Sequence, residues 1–256
     1  MAALPVALVL PMYNEADNVA PLLDRLARVR ESSAVDLVAL AVDDGSRDGT
    51  GRRLTEARGR YPFLRVVAHE RNEGMAAALR TGLATALAER TPPFAVVAFM
   101  DADLTHDPDD LPALLAPIQA GRADFTLGSR YVPGGGMRGV PWERRAISIL
   151  GNAVGRSLLG VPVADLTSGF RAARTEVFRA ITLCEPGFGI QLEGTVKAHR
   201  AGFRVVEVPI TLGVRRHGYS KMVYTRAFWL SYARLFAGLV LRRAVPRPSV
   251  RARSCS

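Results

Sequence analysis

The sequence predicts an α/β domain, a mostly parallel sheet with helices on both faces. Three observations carry this. Apolar runs of strand length, such as Val6–Leu10 and Leu37–Val42, do not alternate with polar residues, as expected of strands buried on both faces. Segments of helical periodicity separate these runs, the order that builds right-handed βαβ crossovers. All but one of the first five runs end in a polar cluster, and ligands of such sheets bind at the carboxyl ends of the strands.

In chain order, strands are expected over Val6–Leu10, Val35–Val42, Leu64–Ala68, Phe94–Met100 and Asp124–Gly128, with helices near Asp17–Arg30, Thr50–Arg60, Gly74–Arg90 and Leu111–Ala120. The clusters follow at Pro11-Met12-Tyr13-Asn14-Glu15, Asp43-Asp44-Gly45-Ser46, Asp101-Ala102-Asp103 and Gly128-Ser129-Arg130-Tyr131. They should share one rim. After about residue 140 the pattern changes. Glu143–Leu159 reads as a helix, with Ile147, Leu150, Val154 and Leu158 at three- and four-residue steps. A strand-like stretch, Phe203–Val208, precedes a polar loop, Arg215–Lys221. The last helix, about Arg226–Arg243, carries Trp229, Tyr232, Leu235, Phe236 and Leu239 but is interrupted by Arg234. Roughly 15 residues rise about 22 Å, short of a hydrocarbon core of about 30 Å. Such a helix is expected to lie in a membrane interface rather than to span it. The expected organisation is a catalytic domain over 1–224, an amphipathic membrane-interface helix over 225–245 and a basic disordered tail over 246–256.

Charge narrows the partners. The chain of 256 residues has net charge +10. All 24 acidic residues lie at or before Glu207, with 24 of the 34 basic ones, so residues 208–256 carry the whole excess. A polyanionic partner for the tail is implied, lipid headgroups or nucleic acid. No recognised nucleic-acid motif appears, which argues against the second. Cys184 and Cys255 make no disulfide framework, and a reducing cytosol fits.

Asp101-Ala102-Asp103 is the sharpest chemical feature. Two carboxylates two residues apart at a strand end can reach one Mg²⁺ or Mn²⁺, ions that prefer oxygen and commonly bridge carboxylate to phosphate. Asp43 and Asp44 lie against another strand end, where a carboxylate can accept from a nucleobase N–H, while Asp48 or Thr50 caps the next helix. His106 follows the Asp-x-Asp as a metal ligand could, but is expected to be a loop histidine making ordinary hydrogen bonds, and His69, His199 and His217 form no ligand spacing with one another.

In that order and spacing, Pro-x-Tyr-Asn-Glu, Asp-Asp-Gly-Ser-x-Asp-Gly-Thr and Asp-Ala-Asp-Leu resemble the family-2 glycosyltransferases of the GT-A fold. The continuation, Gly128-Ser129-Arg130-Tyr131, Arg145-x-x-Ser148, Asp165-x-x-Ser168-Gly169-Phe170-Arg171 and Arg215-x-x-Gly218-x-Ser220-Lys221, resembles the dolichol-phosphate and polyprenyl-phosphate mannosyltransferases. The resemblance runs from about Val6 to Lys221. It implies that Pro11, Tyr13, Glu15, Val42 and Asp44 hold the nucleoside, that Asp101 and Ala102 meet ribose and phosphate, and that Asp101 and Asp103 hold the metal. It implies that Arg130, Arg145, Ser148, Arg215, Ser220 and Lys221 bind the acceptor phosphate. Two positions after Asp103, relatives often carry a glutamine that reaches the metal, whereas this chain has Thr105.

The implied reaction is inverting transfer of a sugar from a nucleotide-sugar donor to a polyprenyl phosphate at the cytoplasmic membrane face. Mannose from GDP-mannose is the first choice, and glucose or an N-acetylhexosamine from a UDP-sugar the nearest rival. An anionic lipid phosphate needs cations rather than a base. A hydroxyl acceptor would need one, and Glu193 is the candidate. On the lipid-phosphate reading Glu193 is expected to support arginines instead.

Overall fold

The computed structural model describes residues 3–88, 93–215 and 226–241. Its strands are β1 (Leu4–Met12), β2 (Val35–Asp43), β3 (Leu64–Ala68), β4 (Val96–Phe99), β5 (Phe125–Ser129), β6 (Gly136–Met137), β7 (Arg171–Arg174), β8 (Val205–Pro209) and β9 (Thr211–Leu212). Its helices are α1 (Ala16–Ser32), α2 (Thr50–Ala57), α3 (Met75–Ala88), α4 (Leu111–Gln119), α5 (Trp142–Leu159), α6 (Thr175–Ala180), α7 (Gly189–Arg200) and α8 (Arg226–Leu241). The main sheet has seven strands in the order β3-β2-β1-β4-β7-β5-β8. All its pairings are parallel except those of β7, which runs against both β4 and β5. A small second sheet pairs β6 with β9.

The apolar runs face two cores. Along β1, Val6, Leu8 and Leu10 pack with Val19, Leu22 and Leu26 of α1 and Leu111, Leu114 and Leu115 of α4. Ala7 and Val9 point the other way, into a cluster with α3, α6 and α7. Successive side chains leave a strand on opposite faces, so a strand with a core on each side has no polar position to offer. This accounts for the unbroken hydrophobicity of β1 and β2.

The reversed strand positions the site. At a rim made of the C-terminal ends of parallel strands, an antiparallel strand presents its N-terminal end. Arg171, which opens β7, lies opposite Phe99 at the end of β4 and Leu127 near the end of β5. The preceding loop, Thr167–Phe170, thus arrives at the same rim as the Asp-x-Asp.

Two sequence expectations change here. The apolar series Ile147, Leu150, Val154 and Leu158 correctly marks a helix, but these residues face outward, with Leu150 65% exposed. The seam of α5 that meets the protein is Asn152, Gly155 and Leu159, with Ser148 half-buried above it. The last helix exists, and it packs on the domain. Leu235 and Leu239 are buried in the core with α7, and Phe236 meets Gly155 of α5. Arg234, Val240 and Leu241 are exposed.

Candidate active site

A cleft of about 680 Å³ opens at the strand ends. It gathers Pro11, Tyr13, Glu15, Asp44, Asp101, Ala102, Asp103, Arg130, Ser148 and Arg215 from the expected set. Four expected residues are placed otherwise or not described with it. Val42 is fully buried in the core beneath the cleft, where it packs on Gly82. Arg145 is exposed on α5, one turn before Ser148, and does not line the cleft. Ser220 and Lys221 lie outside the described residues, as does most of the loop that carries them.

The nucleoside-side wall is braced by its own acids. The Asp44 carboxylate accepts from Glu73 N–H at 2.9 Å, Gly74 N–H at 2.8 Å and His69 Nδ1 at 2.8 Å. It thereby fixes the loop that starts α3. Gly45 is held at φ +67, and a Cβ there would sit 2.3 Å from the Arg71 carbonyl carbon. Only glycine satisfies both conditions. The Glu15 N–H donates to the Thr50 hydroxyl oxygen at 2.9 Å, and the Glu15 carboxylate accepts from the Asn18 amide at 2.6 Å.

At the floor, the Asp101 N–H donates to His106 Nδ1 at 3.2 Å, and the His106 ring stacks on Phe170. His106 is therefore a support for the backbone of the Asp-x-Asp. Burial pushes the Asp101 carboxyl above its ordinary value, His106 pulls it back, and the Asp103 charge pushes it up further, while Arg215 and Arg171 pull the other way. Leu104 adopts a left-handed φ of 62, rare for a branched residue. That turn brings Thr105 back onto Asp103, whose Oδ1 accepts from Thr105 N–H at 2.9 Å and from its hydroxyl at 2.6 Å. Asp103 Oδ2 faces the Arg215 guanidinium at 2.5 Å, and Arg215 also reaches Glu15 at 3.1 Å. The segment carrying Arg215 is tied to the same loop by Gly213 N–H, which donates to Thr105 O at 2.7 Å.

These residues fit a divalent ion that arrives with a diphosphate. Asp103 Oδ2 already draws a cation to itself, and Asp101 stands beside it. Among the described residues no group of three or more His, Cys, Asp or Glu could hold an ion alone. Mg²⁺ is commonly held by one or two carboxylates together with substrate phosphates.

The far wall holds the cations. Arg130 makes a two-pronged pair with the fully buried Asp165, at 2.7 Å on each side, and its guanidinium lies over Tyr131. The Tyr131 hydroxyl meets that of Ser148 at 2.7 Å. Arg138, which sequence reasoning did not single out, also lines the cleft. Its only signal was a charge after a run of glycines. Gln191, Phe188 and Asn72 are further lining residues that carried no signal of their own. Glu193 is neither a base nor a support for arginines. Its carboxylate binds Lys197 at 2.5 Å and the N–H groups of Cys184 and Glu185 at 2.8 Å, and it is 1% exposed.

A parallel sheet with one reversed strand, an acid pair at its rim and an opposing cationic wall define a nucleotide-dependent transferase of the GT-A type. The family model described as Glycosyl transferase family 2 matches residues 7–182, and the chain belongs to that family. More particularly, it is 39% identical to polyprenol monophosphomannose synthase of Mycolicibacterium smegmatis, over 84% of this chain and 79% of that protein. It is 38% identical to the undecaprenyl-phosphate mannosyltransferase of Micrococcus luteus, over 85% of this chain and 87% of that protein. Among solved structures, it is similar in fold to glucosyl-3-phosphoglycerate synthase of Mycobacterium tuberculosis, crystallised with Mn²⁺, UDP and glucosyl-3-phosphoglycerate. The TM-score is 0.67 at 24% identity, covering 96% of this chain and 82% of that one.

Proposed function

We propose that this glycosyltransferase moves mannose from GDP-mannose to a polyprenyl phosphate, with inversion at the anomeric carbon. The observation that carries the reading is the meeting of Asp103 and Arg215 in one cleft whose base candidate, Glu193, is already spent. A lipid phosphate is an anionic nucleophile at neutral pH and needs no base, so catalysis reduces to holding two phosphates together. The two mannosyltransferase relatives support both the sugar and the acceptor.

Asp101 and Asp103 would hold Mg²⁺ or Mn²⁺, which when bound would offset the charge that develops on the leaving diphosphate. Tyr13, Glu15 and the loop ordered by Asp44 flank the nucleoside. Arg215 and Arg138 face the acceptor phosphate. Arg130, locked to Asp165, holds the Tyr131–Ser148 contact at the acceptor side. Ser220, Lys221 and Arg145 remain candidates for the same phosphate.

The acceptor comes from a membrane that the protein touches peripherally. No helix among the described residues is long and apolar enough to cross one. Trp142, at 75% exposure, with Ile147, Leu150, Val154 and Leu158, makes an outward apolar face on α5. Ser148 of that same helix lines the cleft. A lipid held by its phosphate in the cleft would therefore have an apolar surface beside it.

Labelled GDP-mannose or UDP-glucose, incubated with Mg²⁺ or Mn²⁺ and either polyprenyl phosphate or polyprenol, tests this by organic extraction of the product. Label from GDP-mannose is expected in the lipid phase with the phosphate alone. Equal labelling of the neutral alcohol would overturn the acceptor assignment, and labelling from UDP-glucose alone would overturn the donor.

A further inference from the structure

We infer that Gln191 binds hydroxyls of the transferred sugar and so helps to set which donor the enzyme accepts. The inference rests on the glycosyl-transfer reading above and assigns a residue to the sugar, the one part of the donor not yet served by a side chain.

Gln191 stands in the first turn of α7, where the chain enters the cleft after Gly187 and Phe188. Its backbone is pinned from two sides. The Gln191 carbonyl accepts from the Arg171 guanidinium and from the Thr195 hydroxyl, and Arg171 also binds the Ser168 carbonyl. The residue is 8% exposed, and it lines the cleft. Its side-chain amide has no hydrogen-bond partner among the described residues, and it is open to the cleft, where a bound ligand can take it.

The surroundings say what kind of ligand. Gly169 separates the amide from the acid pair. A Cβ at Gly169 would lie 3.0 Å from Gln191 Nε2 and 3.2 Å from each Asp101 carboxylate oxygen. Glycine therefore keeps a notch open between the amide and the carboxylate that faces the diphosphate. A group in that notch touches both. The amide is uncharged and offers one acceptor and two donors, which complements neighbouring hydroxyls better than a phosphate. The phosphates already have Arg215, Arg138 and the acid-bound cation. A hexose joined to the diphosphate is the part of the substrate with matching chemistry.

Calorimetry on Gln191→Met decides the matter, because methionine keeps the length and removes the hydrogen bonds. GDP is titrated against GDP-mannose, and UDP against UDP-glucose, all with Mg²⁺. The sugar nucleotide that the wild type binds is expected to weaken by about tenfold or more, the loss of one or two buried hydrogen bonds, while its nucleoside diphosphate stays within about twofold. Equal weakening of both would assign Gln191 to the diphosphate or to the fold and overturn the inference. No change in either would overturn it too. Gln191→Asn, which keeps the amide at shorter reach, gives the same split should the methionine variant fail to fold. If the wild type binds only the UDP pair, the mannose reading falls while the split within that pair still judges Gln191. Binding of neither pair removes both.

Discussion

Asp103 divides its two oxygens between opposite duties. Oδ1 is spent on Thr105, and Oδ2 is turned to the cleft and Arg215. Its partners lie in loops at the rim rather than in the core. Asp103→Ala is therefore expected to reduce turnover by at least about a hundredfold while leaving the melting temperature nearly unchanged, and EDTA should impose the same loss on the wild type. Full turnover in excess EDTA would refute the metal role. The Asp-x-Asp was legible because position alone, two carboxylates after a buried strand, defined it. The role of Thr105 was not legible, because the left-handed turn at Leu104 decides which way its hydroxyl points. Glu193 was misread although a signal existed. Lys197 stands four residues on, and a Glu–Lys pair at that spacing on a helix favours contact.

At the level of elements, α5 shows what periodicity does and does not say. Apolar residues at three- and four-residue steps established the helix, but spacing alone is silent on which side faces the protein. Here the inner seam contains Asn152 and Gly155, while Ile147, Leu150, Val154 and Leu158 look out. Leu150→Glu is expected to weaken co-sedimentation with anionic vesicles by about thirtyfold, the order set by burying a leucine of about 2 kcal/mol, with unchanged melting. Deleting residues 226–256 is the poorer test, because it would strip Leu235 and Leu239 from the core. A second element-level contact sits where β5 and β8 begin. Asp124 receives the Arg204 guanidinium at 2.9–3.0 Å and its backbone N–H at 2.9 Å. The hydrogen bonds from Arg204 hold the Asp124 carboxyl below its ordinary value. The group gives up its proton more readily folded than unfolded, so its stabilisation is present at neutral pH and fades as pH falls through the lowered value. Asp124→Asn should cost about 1 kcal/mol at pH 7, a modest figure because Arg204 is solvent-exposed. The cost should vanish in denaturant melts at strongly acid pH.

For the molecule as a whole, the sequence disclosed the left half of the sheet and withheld the centre. β1, β2 and β3 were expected within two residues of their observed ends, β1 and β2 because they are long, apolar and largely buried, and β3, a five-residue edge strand, because Leu64, Val66 and Val67 mark it. β7 left no such trace. Its four residues, Arg171-Ala172-Ala173-Arg174, carry arginine at both ends, and small alanines fill the middle, where β4 and β5 press from either side. A strand that needs little volume and ends in charge does not read as a strand. Its place in the sheet came from the structure alone, and so did the arrival of Gly169 and the Arg171 anchor at the rim.

That central strand also puts the protein's assembly on a clock. β4 and β5 are not neighbours, and each finds its partner on this side only when β7 is made, about 40 residues after β5 ends. At a synthesis rate of about 5–20 residues per second, the nascent chain carries two unpaired apolar edges for about 2–8 s. A fragment ending at Asp165 should accordingly be trapped by chaperones or aggregate, whereas the chain supplied with residues 166–215 in trans during refolding should recover soluble material. A monomeric, cooperatively melting 1–165 fragment would show that the seam closes without its last strand. A stretch too plain to notice in the sequence thus sets how long the newborn protein stays vulnerable.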